Sequence, residues 1–84
     1  MEYKVLVKIY VPQVEQNYEA YIPINKTIAE VSLLIIKMIN GQFKKFPKDQ
    51  RIDIVDRNTG LQYPDAELVR NLPIKNGTEL VIVS

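Results

Sequence analysis

The stretch 72–83 reads LPIKNGTELVIV, and it decides which fold the rest of the 84-residue sequence supports. Asn76-Gly77 joins two residue types that tolerate positive φ, so the pair predicts a tight turn. The β-branched and apolar run 78–83 that follows predicts a strand that is buried on one face. The alternation along this strand places Leu80 and Ile82 inward and Val81 and Val83 outward.

Two more strands are predicted near the N-terminus, because apolar residues alternate with polar ones there. In residues 3–11 the inward set is Tyr3, Val5, Val7, Ile9 and Val11, and the outward set is Lys4, Leu6, Lys8 and Tyr10. In residues 17–24 the inward set is Tyr18, Ala20, Ile22 and Ile24, and the outward set is Glu19 and Tyr21. Pro12 ends the first strand, and residues 12–16 are short enough to close a hairpin.

A helix is predicted from Ile28 to Asn40. Thr27 and Glu30 have the spacing of a capping box, and Gly41 is placed to close the helix in the left-handed conformation. The expected core-facing stripe consists of Ile28, Val31, Ile35 and Met38, widened by Leu34 and Ile39. Two apolar residues, Leu33 and Ile36, fall outside it, so either a loop covers them or they contact a dimer mate or another partner.

After the helix, the sequence predicts short strands, turns and connections. Residues 42–50 form a connection, 51–56 a strand with Ile52 and Ile54 inward and Val55 outward, and 58–60 a turn. Residues 61–63 form a brief edge strand that is stopped by Pro64, and 65–68 form one helical turn. The element order is therefore β-β-α-β-β-β, in which the first and last strands can pair in parallel.

The order and spacing of these features resemble the ubiquitin-like (β-grasp) superfamily. The matching segments are the opening hairpin, the helix start TIAEV (27–31), the PKDQRI segment (47–52) that leads into the third strand, and the closing LPIKNGTEL (72–80). The resemblance covers nearly the whole chain and implies one α+β domain over residues 1–84. It implies a mixed sheet of order 2-1-5-3-4 with one helix packed on one face.

Within that superfamily, conjugated modifiers and sulfur carriers react through a C-terminal Gly-Gly tail, and the sequence ends at Val83-Ser84 instead. We therefore expect no conjugation. The chain looks similar to the small tail-less ubiquitin-like accessory proteins of bacterial type VII secretion (the YukD/EsaB group). That resemblance implies a cytoplasmic accessory or regulatory component of a secretion-type machine. A structural or scaffolding subunit of an enzyme complex is the alternative that other tail-less relatives imply.

Composition argues against several other functions. The sequence has no His and no Cys, so it lacks a ready general base near neutral pH, a thiolate nucleophile and a disulfide framework. Asp53 and Asp56 are a conceivable acid–base pair, and with Asn58 they supply oxygen ligands, but the spacing of a calcium loop is missing. We expect no enzymatic activity, no cofactor and no metal. No apolar run is long enough to insert into a membrane.

Two surfaces are candidates for binding a protein partner of unknown identity. The stronger one is the outer sheet face, where the predicted strand order makes neighbours of Leu6, Tyr10, Tyr21, Val55, Val81 and Val83. The weaker one is the helix surface at Leu33 and Ile36, which also leaves a homodimer open. Scattered apolar residues on a sheet, diluted by charges, are the alternative for the first surface.

A basic cluster in residues 43–51 is the remaining candidate. Lys44 and Lys45 lie with Lys48 and Arg51 around Phe43 and Phe46, a composition that suits single-stranded nucleic acid. The net charge of +1 favours a simpler reading, in which the phenylalanines anchor the loop and the lysines are solvated. Nucleic-acid binding by this loop is therefore the least favoured function.

Overall fold

The computed structural model describes residues 3–42 and 52–83, which form a mixed sheet and an α-helix. Its main elements are strand β1 (Lys4–Val11), strand β2 (Gln16–Pro23), helix α1 (Ile28–Gln42), strand β3 (Asp53–Asp56) and strand β4 (Glu79–Val83). Short 3₁₀ helices span Pro12–Val14 and Val69–Asn71. The predicted α+β fold is confirmed.

The four strands lie in the order β2-β1-β4-β3. β1 pairs antiparallel with β2 over its whole length, from Lys4 opposite Pro23 to Val11 opposite Gln16. β4 pairs in parallel with β1 and antiparallel with β3, so the first and last strands form the centre of the sheet as predicted.

The predicted edge strand 61–63 is reduced to one isolated bridge, between Gln62 and Val55. The amide of Asp56 donates to the carbonyl of Leu61 at 2.9 Å, and that of Tyr63 donates to the carbonyl of Ile54 at 3.0 Å. Pro64 then has no amide hydrogen with which to continue the ladder. The pairing therefore ends after a single residue.

Helix α1 packs across one face of the sheet and buries the predicted strand positions. Val7, Ile9, Ile54, Leu80 and Ile82 are almost completely buried in one core cluster, which also contains the helix residues Ile28, Val31, Ile35 and Ile39. The inward and outward faces of β1, β2 and β4 follow the predicted alternation. Tyr3 is the exception, because it precedes β1 and is exposed.

The core-facing stripe of α1 is rotated from its predicted position. Ile36, which was expected to lie outside the stripe, is only 8% exposed, whereas Leu34 is 47% exposed and Met38 is half-buried. The stripe also includes Ser32, whose hydroxyl donates to the carbonyl of Ile28 at 2.9 Å. Because that bond satisfies the hydroxyl, a buried Ser32 is tolerated and the helix turns toward Ile36.

The start of α1 is the predicted capping box. The amide of Glu30 donates to Thr27 Oγ1 at 3.2 Å, and the amide of Thr27 donates to Glu30 Oε1 at 3.1 Å. The bond from the Thr27 amide, followed by one that the Thr27 hydroxyl donates to Glu30 Oε1 at 3.1 Å, holds the pKa of Glu30 below its usual value. Two amides at the helix start are thereby satisfied reciprocally.

Removing this cap gives the first testable prediction. Thr27→Ala should lower the free energy of unfolding by about 1 kcal/mol, because the amide of Glu30 loses its side-chain acceptor. Urea unfolding followed by circular dichroism measures the change. Thr27→Ser, which keeps a hydroxyl at the same position, is the control and should lose much less. Equal losses in the two variants would show that the hydroxyl does not cap the helix.

Several predicted boundaries need correction. α1 runs on to Gln42, so Gly41 lies within the helix. Gly41 does not adopt the left-handed conformation, which among the described glycines occurs at Gly60 and Gly77. Glycine permits the left-handed conformation but does not impose it. β3 begins at Asp53 instead of Arg51, although Ile52 is buried as expected. The helical turn expected at 65–68 occurs later, at Val69–Asn71.

Candidate functional site

The outer face of the sheet, opposite α1, carries three apolar side chains in one line across neighbouring strands. Tyr10 of β1 pairs with Val81 of β4, and Val81 pairs with Val55 of β3. We call these three residues the apolar row. Paired strands lie about 4.8 Å apart, so the three side chains are direct neighbours. All three are half-buried.

Val83 extends the apolar row along β4. It lies two residues beyond Val81, on the same face, and its side chain is 44% exposed. Its partner in the register is Asp53 of β3, whose side chain is also on the outer face. The apolar surface is therefore bordered by a carboxylate at this end.

Leu6 and Tyr21 form a separate apolar pair. They lie opposite each other on β1 and β2, and Tyr21 is 56% exposed. A line of charged residues separates this pair from the apolar row, because Lys8 pairs with Glu19 on one side and with Glu79 on the other. The six predicted outer-face residues thus occupy one face as expected, but they form two apolar areas instead of one.

Arg57 is part of this surface and was missed by sequence reasoning. Its guanidinium carbon lies 5.2 Å from the centre of the Tyr10 ring, within range of a cation–π contact. Its amide donates to the carbonyl of Glu79 at 3.0 Å, which holds the segment after β3 against β4. Only the pairing of β3, β4 and β1 brings Arg57 to Tyr10, so no local sequence pattern signals the contact.

The two candidate contact residues on α1, Leu33 and Ile36, differ in burial. Leu33 is 61% exposed, next to the exposed Leu34, whereas Ile36 belongs to the core. Ile36 was expected to be covered by a loop or to contact a partner, and its burial leaves Leu33 as the exposed member of the pair. A groove of about 560 Å³ lies beside Ile36, lined also by Leu33, Lys37, Asn40 and Gly41. Lys44 and Lys45, with the rest of the basic cluster 43–51, lie outside the described residues.

The carboxylates of Asp53 and Asp56 emerge on opposite faces of β3, because the two residues are an odd number of positions apart along a strand. Asp56 accepts hydrogen bonds from the amides of Asn58 at 2.8 Å and Thr59 at 3.0 Å, and from the Tyr63 hydroxyl at 3.0 Å. These bonds, with that from Thr59 first, hold the pKa of Asp56 below its usual value. Asp56 therefore shapes the turn after β3.

No group of three or more His, Cys, Asp or Glu side chains in residues 3–42 and 52–83 is placed to hold a metal ion. None of the helices within them combines the length and the hydropathy that a membrane crossing requires.

Comparisons with known proteins concern structure alone. No protein-family model matches the sequence, and neither does any curated protein. A ubiquitin from Caldiarchaeum subterraneum matches with a TM-score of 0.72 and 21% identity, over 96% of this chain and 92% of that one. A chain of the MycP5-free ESX-5 inner membrane complex matches with a TM-score of 0.77 and 13% identity, over 94% of this chain but 20% of that one.

A third similar structure is a chain of the toluene 4-monooxygenase HD complex with the inhibitor 4-bromobenzoate. It matches with a TM-score of 0.80 and 8% identity, over 95% of this chain and 96% of that one. Identities this low describe the fold and carry no activity with them. With its mixed sheet, its central parallel pair and its single packed helix within the described residues, the chain has the ubiquitin-like β-grasp fold.

Proposed function

We propose that the chain is a non-enzymatic protein-interaction module that binds a partner protein through the outer face of its sheet. The contact surface consists of the apolar row, Tyr10, Val81 and Val55, together with Val83. The observation that supports the proposal is the register, which makes neighbours of these side chains on the face that α1 leaves uncovered. An apolar area with a polar and charged border is the usual composition of a protein interface.

The border of this surface supplies specificity. Arg57 lies over Tyr10 at one end, and Asp53 is opposite Val83 at the other. The charged line through Lys8 runs beside the apolar row, between it and Leu6. Leu6 and Tyr21 lie beyond that line and act as a secondary contact. Charges around an apolar centre fix the orientation of a partner more than they add affinity.

In its finer form, the proposal makes the chain a cytoplasmic accessory or regulatory component of a bacterial secretion-type machine. Its support is the resemblance to the accessory proteins of type VII secretion, together with the fold shared with part of an ESX-5 complex chain. A structural subunit of an enzyme complex is the second candidate. It is supported by the fold shared, over nearly the whole of both chains, with a component of the toluene 4-monooxygenase HD complex.

Charge insertion at the centre of the row tests the interface. A photo-crosslinking residue at position 81 first captures and identifies the partner in cells that express the protein. Binding of the purified partner is then measured by calorimetry. Val81→Lys should weaken binding by roughly 30-fold to several hundred-fold, because a buried contact of this size contributes about 2–4 kcal/mol when it lies at the centre of an interface. The identity of the partner separates the secretion role from the enzyme-complex role.

Leu33→Lys is the matched control, since it makes the same apolar-to-lysine change on the exposed surface of α1. It should leave binding unchanged. Circular dichroism of both variants verifies that they fold, which Val81→Lys can do by extending its amine into solvent. Unchanged binding by Val81→Lys would show that the apolar row is not the interface. Loss of binding with Leu33→Lys alone would show that the interface lies on the helix.

A further inference from the structure

The free edge of β2 is the second surface that the fold leaves available. β2 is the outermost strand of the sheet and extends for eight residues, Gln16–Pro23. It pairs with β1 along one side only, so its other side presents backbone amides and carbonyls away from the sheet. The opposite edge is much less accessible, since β3 has only four residues and is bridged by Gln62.

The hydrogen-bond pattern identifies which backbone groups face outward. The amide of Ile24 donates to the carbonyl of Tyr3 at 2.8 Å, and hydrogen-bonded pairs recur every second residue in an antiparallel ladder. Ile22, Ala20 and Tyr18 therefore bond to β1. The amides and carbonyls of Tyr21, Glu19 and Asn17 face away from it, and none of the described backbone bonds outside the strands involves them.

Little in the sequence of β2 prevents another strand from adding to this edge. Natural edge strands are protected by lysines, by prolines, by bulges or by being short. Gln16–Pro23 contains no lysine, its proline is the last residue, and its eight residues pair with β1 one to one without a bulge. Glu19 is its single charged residue.

We propose that this edge pairs with the β2 edge of a second copy of the chain, antiparallel and across a twofold axis. The outward groups of Glu19 then pair with those of Tyr21 in the second copy, and those of Tyr21 pair with Glu19 of the second copy. Strands of two copies join into one continuous sheet. The inference does not depend on the proposed function, because it uses the edge of the sheet and not the outer face.

The side chains select this register and this occupant. Centring the axis on Glu19 would place two carboxylates opposite each other, which is unfavourable, whereas centring it on Ala20 places the smallest side chain of the strand at the axis. Tyr21, exposed in one copy, gains Glu19 of the other as its neighbour on the outer face. A net charge of +1 per copy gives almost no long-range repulsion against self-association.

Glu19→Pro tests the pairing directly. The amide of residue 19 is not used within the sheet, so proline can occupy this edge position without removing a bond to β1. Sedimentation at increasing protein concentration should show the unaltered chain shifting from monomer to dimer. Glu19→Pro should remain monomeric at every concentration, and Glu19→Ala, which keeps the amide, should still dimerise.

Amide hydrogen exchange provides a second readout that needs no variant. Concentrating the unaltered chain should increase the protection of Glu19 and Tyr21, while Ile22 and Ala20, already bonded to β1, should change little. A monomer at all concentrations overturns the proposal, as does a dimer that persists in Glu19→Pro or is lost in Glu19→Ala. Protection of these amides by an added extended peptide, without any self-association, would also overturn the second copy as the occupant.

Discussion

Replacing Tyr63 by alanine is expected to lower the free energy of unfolding by roughly 3–5 kcal/mol, the loss that follows truncation of a buried aromatic ring. Tyr63 is 1% exposed and is the largest fully buried residue by volume among the described residues. A domain of this length has a total stability of roughly 4–13 kcal/mol, so the variant should lose a large fraction of it. Thermal unfolding followed by circular dichroism measures the effect.

Tyr63→Phe separates the ring from the hydroxyl. Burial, helped by the hydrogen bond to Asp56 and by its charge, raises the pKa of Tyr63 to about 12. Because this pKa lies above the ordinary value of 10, the hydroxyl stabilises the fold fully below pH 10, and the contribution is lost as the pH rises to about 12. The stability difference between the unaltered chain and Tyr63→Phe should therefore shrink between pH 10 and pH 12. A difference that stays constant over this range would contradict the raised pKa of Tyr63.

Leu80→Ala is expected to cost about 2–5 kcal/mol, since it leaves a cavity in the central strand of the sheet. Leu80 is 1% exposed and pairs with Ile9 on one side and with Asp56 on the other. Urea unfolding gives the change in free energy.

Val83→Ala is the control for Leu80→Ala, because it truncates a 44% exposed residue of the same strand. Its cost should stay within about 0.5 kcal/mol. Equal costs for the two variants would show that the inward and outward faces of β4 have been assigned wrongly.

The strands could be predicted well because their polar residues mark the outward face. In β1, Lys8 lies between Val7 and Ile9, so a shift of one residue would bury a lysine and expose two core residues. The turns at Gly60 and Gly77 were predictable for a similar reason, since a positive φ is rarely adopted by other residues. In both cases the alternatives carry a large free-energy cost that a single sequence reveals.

The helix face and the outer surface could not be predicted to the same degree. Residues 33–36 are four consecutive apolar residues, so the pattern alone permits several rotations of α1 about its axis. In the folded chain Ile36 is buried against the core and Leu34 is exposed. The division of the outer face by the Lys8 line, and the placement of Arg57 over Tyr10, depend on the register between strands that are distant in the chain. Local periodicity carries no information about that register.

The parallel pairing of β1 with β4 also governs the order in which the molecule assembles. The Leu6 amide donates to Asn76 Oδ1 at 2.8 Å across a separation of 70 residues. During synthesis the first hairpin can form as soon as β2 has left the ribosome. The edge of β1 that faces away from β2 has no partner until β4 is synthesised, and β3 has none until then either. Such a topology folds more slowly than a helical bundle of equal length, and an incomplete chain exposes two strands that bind readily to chaperones or to other nascent chains.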